Sequence, residues 1–286
     1  MNLQDFDISH PVNGIVKTIS RITPEDSPED VREILLEVQD HAFDYQVGQV
    51  IGVLVPGPHA FGHHMHFRLY TLADTPQPLR DDHRIITLAV KRCNYIDEYS
   101  GEEYKGIASN YLCDLHTGNS ITMTGPYGHP FEVPEEKDAN LLMIGMGTGI
   151  APFRAFVKHI YDNVGGWSGR VRLFYGARTG LEMLYMNDRR NDLANYYDEE
   201  TFQAFQAISL RPHWGEDAAL TQTLQLHKQE VWDMLCSYNT HVYVAGLSVI
   251  NTMLDSAFSE MAGSPDKWQR RKQELIAGRR WTELLY

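Results

Sequence analysis

The glycine-rich stretch at residues 141–156, LLMIGMGTGIAPFRAF, constrains the fold more than any other part of the chain. Apolar residues lead into three glycines at every second position, Gly145, Gly147 and Gly149. Pro152 then falls in the first turn of an apolar pattern with helical spacing, where its missing N–H costs nothing. The stretch therefore predicts a buried strand, a glycine turn and the beginning of a helix.

Such a turn directs free backbone N–H groups and the positive end of a helix dipole at one spot, which suits a phosphate. The spacing is G-x-G-x-G rather than the G-x-G-x-x-G of the dinucleotide fingerprint, and the Gly-Lys-Ser/Thr of a P-loop is missing. By itself the stretch leaves two interpretations open: a nucleotide loop, and a tight turn that simply needs glycine.

Size and charge narrow the class of protein. A length of 286 residues predicts about two domains. The net charge of −13 argues against a nucleic-acid surface or an anionic membrane surface. No apolar run approaches the roughly 18 residues that a membrane span requires. Three scattered cysteines, without C-x-x-C and without an N-terminal signal pattern, lead us to expect a cytoplasmic protein.

The first half of the chain has the pattern of an antiparallel β-barrel or sandwich. Short apolar or alternating segments are separated by Gly and Pro turn signals. The predicted strands are residues 14–19, 31–38, 50–55, 67–72, 85–90 and 120–124. One short helix is expected at 109–115, with Ser109 or Asn110 near its cap.

After a charged linker at 132–139, strands and helices alternate, which favours a parallel sheet with helices on both faces. The strand candidates are residues 140–145, 171–177, 204–209, 241–245 and 281–286. The helix candidates are 152–163, 181–193, 221–236 and 249–261, followed by one that Ser264 caps, Pro265 begins and Gly278 ends. We expect an antiparallel β-barrel domain at 1–135 and an α/β parallel-sheet domain at 136–286.

This architecture favours the nucleotide interpretation of the glycine stretch, because ligands of doubly wound sheets bind beyond the carboxyl ends of the strands. A second phosphate seat is predicted in the barrel half, where residues 105–110, KGIASN, open the short helix. Two dinucleotides would explain both seats.

Arg68, Tyr70 and Thr71 end an apolar stretch of the barrel half. Alternation puts Arg68 and Tyr70 on one face of a strand, where they suit a phosphate and a flat ring. Thr71 can hydrogen-bond a ring nitrogen. The alternative is an edge strand with a surface ion pair.

Four histidines, His59, His63, His64 and His66, crowd one polar segment just before Arg68. A metal site needs converging ligands, usually with carboxylate or cysteine help. We expect no metal here and interpret the histidines as part of a polar loop.

Together these motifs resemble the plant-type ferredoxin–NADP reductase family, in order and across nearly the whole chain. The matching segments are 45–49 (YQVGQ), 68–71 (RLYT), 90–92 (VKR) with Tyr95, 105–115 (KGIASNYLCDL), 124–128 (TGPYG), 147–154 (GTGIAPFR), 242–247 (VYVAGL) and the terminal Tyr286. The resemblance implies an FAD-binding barrel, a pyridine-nucleotide domain, and hydride exchange coupled to single-electron transfer.

The resemblance also implies roles for individual residues. Arg68 would hold the FAD pyrophosphate, Tyr70 would lie against the isoalloxazine, and Tyr95 would serve the adenine. Thr71, Glu283 and Tyr286 are the residues expected at the catalytic contact, with Tyr286 stacking on the flavin. The expected cofactor-binding set is Arg68, Leu69, Tyr70, Thr71, Ala89, Val90, Lys91, Tyr95, Ile107, Ala108, Ser109, Gly147, Thr148, Gly149, Arg178, Ser209, Arg211, Gly246, Leu247 and Tyr286.

Three positions depart from the family pattern. Ala245 stands where the family usually has cysteine, and Leu284 stands where it has glutamate, with Glu283 one place off. A one-residue shift in a strand turns a side chain to the opposite face. At the 2′-phosphate position Leu210 follows Ser209 and displaces Arg211, whereas Arg178 resembles an arginine that bacterial members use. We therefore expect NADP and leave NAD open.

The leading hypothesis is an FAD-dependent NAD(P)H reductase that serves a separate carrier such as a ferredoxin or flavodoxin. One alternative is the reductase of a multicomponent oxygenase, or a free flavin or ferric reductase. Another is a non-catalytic flavin or nucleotide sensor, which Ala245 and Leu284 keep open.

Overall fold

The computed structural model divides the chain into two compact units, Met1–Pro130 and Phe131–Tyr286. It describes residues 6–38, 40, 42–57, 64–76, 83–97, 99–128, 131–197, 201–208 and 216–285. Residues 131–135, which the sequence grouped with the barrel, belong to the second unit. The reason is Phe131, whose ring lies 5.9 Å from that of Phe153 and 5.2 Å from that of Tyr243.

Unit 1 is built on a six-stranded antiparallel sheet. Its strands are β1 (Val12–Arg21), β2 (Val31–Val38), β3 (Val50–Pro56), β4 (Met65–Thr71), β5 (Arg84–Lys91) and β8 (Ser120–Tyr127), in the order β4-β3-β8-β1-β2-β5. The two outer strands meet at one end, where Leu72 bridges Leu88 and the Ala73 N–H donates to the Thr87 carbonyl at 2.8 Å. The sheet thus curls into the antiparallel barrel that the sequence predicts.

The barrel core consists of the inward residues of these alternating strands. The side chains of Ile34, Leu36 and Val38 of β2 and of Ile51 and Val53 of β3 are 0% exposed. Burial of such aliphatic side chains contributes about 1.5–3 kcal/mol each. This core fixes the register of β3 against β4 and thereby sets which face of β4 carries Arg68 and Tyr70.

A small hairpin and a helix complete unit 1. The hairpin, β6 (Asn94–Ile96) with β7 (Glu103–Lys105), is absent from our sequence interpretation. The helix α1 spans Ile107–Cys113 and begins earlier than predicted, with Gly106 as N-cap. Ser109 and Asn110 are wrong as caps because both lie inside the helix and hydrogen-bond the Gly106 carbonyl from there.

Unit 2 is a five-stranded sheet in which every neighbouring pair is parallel. The strands are β9 (Asn140–Met146), β10 (Val171–Ala177), β11 (Phe202–Ile208), β12 (Thr240–Gly246) and β13 (Trp281–Leu285), in the order β11-β10-β9-β12-β13. The helices are α2 (Ile150–Lys158), α3 (Glu216–Leu226), α4 (Lys228–Cys236), α5 (Val249–Ala262) and α6 (Pro265–Ala277).

Both faces of this sheet carry helices, as alternation predicts. Val242 and Val244 of β12 pack in a core with Leu254 and Phe258 of α5. Tyr243, between the two valines, points the other way and lies 4.9 Å from the ring of Phe156 on α2. The α/β parallel-sheet class is therefore confirmed.

Three helix predictions need correction. Residues 181–193 form no α-helix, only 3-10 turns at Gly180–Glu182 and Leu193–Tyr196. The physical reason is that Tyr185 takes a φ of +60° and that Asn187 Oδ1 accepts the backbone N–H groups of Arg189 and Arg190. Such side-chain bonds compete with helix formation.

The predicted helix at 221–236 is broken at His227 into α3 and α4. The ring of His227 packs 4.1 Å from that of Phe205, which holds the break against the sheet. The predicted helix at 152–163 begins earlier, at Ile150, and its last turn, His159–Asn163, is a π-helix.

The last helix and strand are as predicted. Ser264 Oγ accepts from the Lys267 N–H at 3.1 Å, Pro265 begins α6, and Gly278 ends it. Within the described part of the chain, no helix has the length and apolar character to cross a bilayer. Cys93, Cys113 and Cys236 are free thiols.

Candidate functional site

The glycine segment connects the central strand of unit 2 to α2. It follows β9 directly as a 3-10 turn, Gly147–Gly149, and continues into α2. Gly147 has a φ of +55°, and a Cβ built there would meet nothing within 4 Å. The segment therefore leaves open space above the carboxyl end of β9, at the beginning of a helix.

The other two glycines are needed for close packing. A Cβ on Gly149 would lie 2.3 Å from the Ala245 carbonyl oxygen, and one on Gly145 would lie 2.8 Å from the Phe153 ring. The turn thus rests directly on the end of β12. Gly246, with a φ of +141°, and the exposed Leu247 follow at the same edge of the sheet. Gly147, Thr148, Gly149, Gly246 and Leu247 therefore lie at the same edge of the sheet, and their nucleotide-binding role stays a prediction.

Arg178 lies at the same edge, immediately after β10. Its Nε is 3.3 Å from Oε2 of Glu182, whose side chain is only 8% exposed, while the Arg178 side chain is 37% exposed. Glu182 therefore holds the Arg178 guanidinium group through its Nε. Ser209 and Arg211, the other residues expected at the 2′-phosphate, lie outside the described residues.

Glu283 and Leu284 lie on opposite faces of β13. Both carboxylate oxygens of Glu283 accept hydrogen bonds, from Trp281 Nε1 at 2.5 Å and from Asn251 Nδ2 at 2.8 Å. Leu284 pairs with Ala245 in the β12–β13 register. The contacts of Glu283 are those of a group that ties β13 to α5, and its expected catalytic role stays a prediction. Tyr286 lies outside the described residues.

In unit 1, β4 carries Arg68 and Tyr70 on one face, as alternation predicts. Tyr70 packs partly buried against the barrel core, and burial raises the pKa of its phenol. The Arg68 side chain is exposed, and no described side chain hydrogen-bonds it. Leu69 points to the opposite face, and Thr71 ends the strand half-buried. An exposed guanidinium thus lies two residues from an aromatic ring.

Of the three residues expected from the end of β5, Lys91 is held in an ion pair with Glu29 at 2.9 Å. Val90 is 1% exposed and belongs to the barrel core, so its side chain faces away from any ligand. Ala89 is 9% exposed. Only the backbone of Val90 remains available to the role expected of it.

Tyr95 stands on the β6–β7 hairpin and is 58% exposed. Its ring stacks on that of Tyr104, with centroids 5.5 Å apart and planes at 18°. The sequence interpretation missed Tyr104, because cross-strand partners become visible only once the hairpin register is known.

The beginning of α1 lies beside the loop that follows β5. Ile107, Ala108 and Ser109 form its first turn, whose N–H groups have no partner within the helix. Ser109 Oγ accepts from the Cys93 N–H at 3.1 Å. Asn110, 6% exposed, donates to the carbonyls of Cys93 and Gly106. The Ser109 and Asn110 side chains therefore hold the loop and the helix end together.

A partly buried polar network supports this helix end. Arg92 bonds Asp30 at 2.9 Å and Asn110 Oδ1 at 2.9 Å. Burial alone would raise the pKa of Asp30, but hydrogen bonds from Arg32 and Arg92 outweigh it and lower that pKa. The network joins β2, β5 and α1, which are far apart in the sequence, and sequence reasoning could not assemble it.

The metal question concerns the four histidines. His59 and His63 lie outside the described residues. Within the residues that are described, no group of three or more His, Cys, Asp or Glu side chains has the placement to hold a metal ion.

The two units carry different donor sets, and both suit a dinucleotide. The Gly147 position in unit 2 has the open space and the helix N–H groups that a phosphate needs. Unit 1 offers the exposed Arg68, the ring of Tyr70 and the first turn of α1. Arginine and helix N–H groups are the usual ligands of a pyrophosphate.

Comparisons with known proteins agree with this division. The family model of the oxidoreductase NAD-binding domain matches residues 143–256. The chain is 31% identical over 274 residues to ferredoxin–NADP reductase, leaf isozyme 1, chloroplastic, of Oryza sativa subsp. indica, covering 93% of this chain and 74% of that protein. It is 29% identical to ferredoxin–NADP reductase of Spirulina sp, covering 95% of this chain and 94% of that protein.

Solved structures share the fold. Ferredoxin–NADP+ reductase from Plasmodium falciparum superposes with a TM-score of 0.74 at 18% identity, covering 98% of both chains. A structure of the same enzyme with 2′P-AMP gives a TM-score of 0.71 at 19% identity, covering 100% of this chain and 99% of that one.

Proposed function

The chain belongs to the ferredoxin–NADP reductase family, and on this premise we propose that it exchanges hydride between NADP(H) and FAD and single electrons with a separate carrier protein. The observation that carries the proposal is the glycine segment of unit 2. It combines an open position at Gly147 with a helix beginning at the carboxyl edge of a parallel sheet. That combination is the usual seat of a nucleotide phosphate.

We propose that unit 1 holds FAD. Arg68 would hold the pyrophosphate together with the N–H groups of Ile107, Ala108 and Ser109, and Tyr95 would lie against the adenine. Tyr70 would lie against the flavin ring, with the Thr71 hydroxyl near the ring nitrogens. When bound, FAD supplies the hydride and single-electron chemistry of the reaction.

The protein would then serve to orient the flavin and the pyridine nucleotide for the reaction. Hydride transfer needs reacting atoms in close, aligned contact rather than an acid–base pair. Tyr70 packs against the buried barrel core, and burial raises the pKa of its phenol. The glycine segment would hold the pyridine nucleotide by its phosphates and leave the nicotinamide ring to be positioned by the neighbouring residues.

We propose NADP(H) as the nucleotide. The support is Arg178 at the carboxyl end of β10, together with the NADP reductases to which the chain is similar. Ser209 and Arg211 stay predictions for the 2′-phosphate. The carrier is proposed to be a ferredoxin or a flavodoxin, since reductases of ferredoxin are the relatives named above.

A two-step experiment tests this function. Purified protein is loaded with FAD, and ferricyanide reduction is measured with NADPH and with NADH. Cytochrome c reduction is then measured with ferredoxin or flavodoxin as intermediate carrier. We expect FAD uptake, a preference for NADPH and carrier-dependent cytochrome c reduction. Protein that folds but takes up no FAD would contradict the proposal.

The cytoplasmic location inferred from the sequence stays a prediction. It is supported by the free thiols of Cys93, Cys113 and Cys236, which fit a reducing compartment.

A further inference from the structure

One side chain of the sheet, that of Tyr175, hydrogen-bonds the backbone of the glycine segment. Tyr175, on β10, is 0% exposed, and its hydroxyl donates to the carbonyl oxygen of Gly147 at 2.8 Å. The same carbonyl accepts the N–H of Ile150. Gly147 has no side chain and takes a φ of +55°, and these two hydrogen bonds orient the peptide group that joins it to Thr148.

The register of the sheet explains why Tyr175 is the residue that reaches this carbonyl. Tyr175, Gly145 and Ala245 stand in one row across β10, β9 and β12. They point to the face that α2 covers, and Gly145 and Ala245 are small enough for the turn to rest on the strands. Tyr175 alone in the row has a long side chain with a hydroxyl.

The orientation of one peptide group follows from this bond. In a trans peptide the C=O and the N–H point in opposite directions. With the Gly147 carbonyl held toward Tyr175 and Ile150, the N–H of Thr148 points away from the sheet.

We propose that Tyr175 is a positioning residue that holds the Gly147–Thr148 peptide in the orientation that presents the Thr148 N–H to a nucleotide phosphate. This inference rests on the nucleotide site proposed above. Without the hydroxyl, the glycine peptide is free to rotate, and part of the binding free energy is spent on ordering it again.

The test compares two tyrosine-to-phenylalanine variants of the full chain loaded with FAD. Tyr175→Phe removes the bond to Gly147. Tyr243→Phe is the matched control, because Tyr243 is also buried in the same sheet, on β12, and donates to a backbone carbonyl, that of Glu132, at 2.7 Å. Both variants lose a hydrogen bond to a backbone carbonyl, and only Tyr175→Phe changes a bond to the glycine segment.

In kinetics, we expect Tyr175→Phe to raise the KM for NADPH about threefold to tenfold, the equivalent of one net hydrogen bond. The KM for NADH should rise by the same factor, because the glycine segment contacts the part that both nucleotides share, and kcat should stay within about twofold of its starting value. Tyr243→Phe should leave both KM values unchanged. Equal KM values in the two variants, or a changed NADPH/NADH ratio, would overturn the inference.

Amide hydrogen exchange gives a second measurement that needs no bound nucleotide. The N–H of Ile150, which donates to the Gly147 carbonyl, should exchange faster in Tyr175→Phe than in Tyr243→Phe. If the starting protein binds neither NADPH nor NADH, the proposed function fails, whatever the variants show. If it binds NADPH but exchange of the Ile150 N–H is the same in both variants, the role of Tyr175 fails alone.

Discussion

At the scale of single residues, Arg68 is the group whose role the structure makes most testable. It is exposed on β4, and among the described residues no side chain bonds it, whereas Arg32 and Arg92 of the same unit are bound to Asp30. An exposed guanidinium on the same strand face as a partly buried tyrosine is suited to an anionic ligand.

Replacing Arg68 by alanine should weaken FAD binding by about 10- to 100-fold, because hydrogen bonds to charged groups contribute about 1.5–3 kcal/mol. The dissociation constant is measured by the change in flavin fluorescence during titration of the apoprotein. Arg270→Ala, on the exposed side of α6, removes the same charge away from the site and serves as the control. Equal affinities in the two variants would speak against the pyrophosphate role.

Glu283 is the residue where sequence and structure give different expectations. Its carboxylate accepts from Trp281 and Asn251, so we expect Glu283→Ala to lower the thermal midpoint, with a cost of about 1–3 kcal/mol for partners left unpaired. Glu283→Gln, which keeps the shape, should leave kcat within about twofold. A folded Glu283→Gln protein with kcat lowered tenfold or more would instead establish the catalytic role.

The sequence could identify Arg68 and Tyr70 because a two-residue spacing within a strand determines their shared face. It could not identify Tyr175, Tyr104 or Glu182. Each of these acts through a partner that only sheet register or a turn brings near, namely the Gly147 carbonyl, the Tyr95 ring and the Arg178 side chain.

At the scale of elements, alanine substitutions at two glycines distinguish the stability cost of a positive φ from an effect on nucleotide binding. Gly147 and Gly263 both take positive φ angles, +55° and +78°, and a Cβ at either would meet nothing within 4 Å. Alanine at each position should therefore cost a similar amount, about 1–2 kcal/mol, from the left-handed backbone alone. Gly263 ends α5, away from the glycine segment in the sequence.

Gly147→Ala and Gly263→Ala should accordingly lower the thermal midpoint by similar amounts. Only Gly147→Ala should raise the KM for NADPH, by about tenfold or more, because its methyl group occupies the space proposed for a phosphate. The two variants are compared by thermal melting and by steady-state kinetics. An unchanged KM in Gly147→Ala would place the nucleotide elsewhere.

The Asp30 network supports α1 and gives unit 1 a pH dependence. The folded pKa of Asp30 is lowered, so its carboxylate stabilises the fold above the unfolded pKa of about 3.9, and this stabilisation is lost as the pH falls through the folded value. Asp30→Asn should therefore melt at a lower temperature than the starting protein at pH 7.

That difference in melting temperature should shrink as the pH is lowered below about 4. Asp26→Asn is the control, because Asp26 is an exposed residue of the same turn region. A difference between Asp30→Asn and the starting protein that stays constant from pH 7 to pH 3 would show that the charge of Asp30 does not act through this network.

The sequence identifies helices and strands mainly through the regular spacing of apolar residues. The strands at 31–38 and 171–177 match β2 and β10 residue for residue, because each is an apolar run bounded by turn signals. The helix expected at 181–193 fails where the chain departs from local preference, at Tyr185 with positive φ and at Asn187, whose side chain replaces backbone hydrogen bonds. Local bonding of that kind leaves no periodic signal.

At the scale of the whole molecule, the first half of the sequence has successive strand patterns, and the second half has strands that alternate with helices. This change is enough to predict a barrel unit followed by a parallel α/β unit. The predicted boundary after residue 135 differs from the observed division at Pro130 because Phe131 packs into the second unit through rings distant in sequence. Family membership adds a chemical function to this architecture, which fold alone does not supply.

The most direct test of the central claim is anaerobic mixing of the FAD-loaded protein with NADPH, followed by the visible absorbance of the flavin. We predict that NADPH bleaches the flavin in a single fast phase and that NADH does so more slowly at equal concentration. Protein that retains FAD and stays fully oxidised after mixing with either nucleotide would contradict the claim that this chain is a pyridine-nucleotide-dependent flavoprotein reductase.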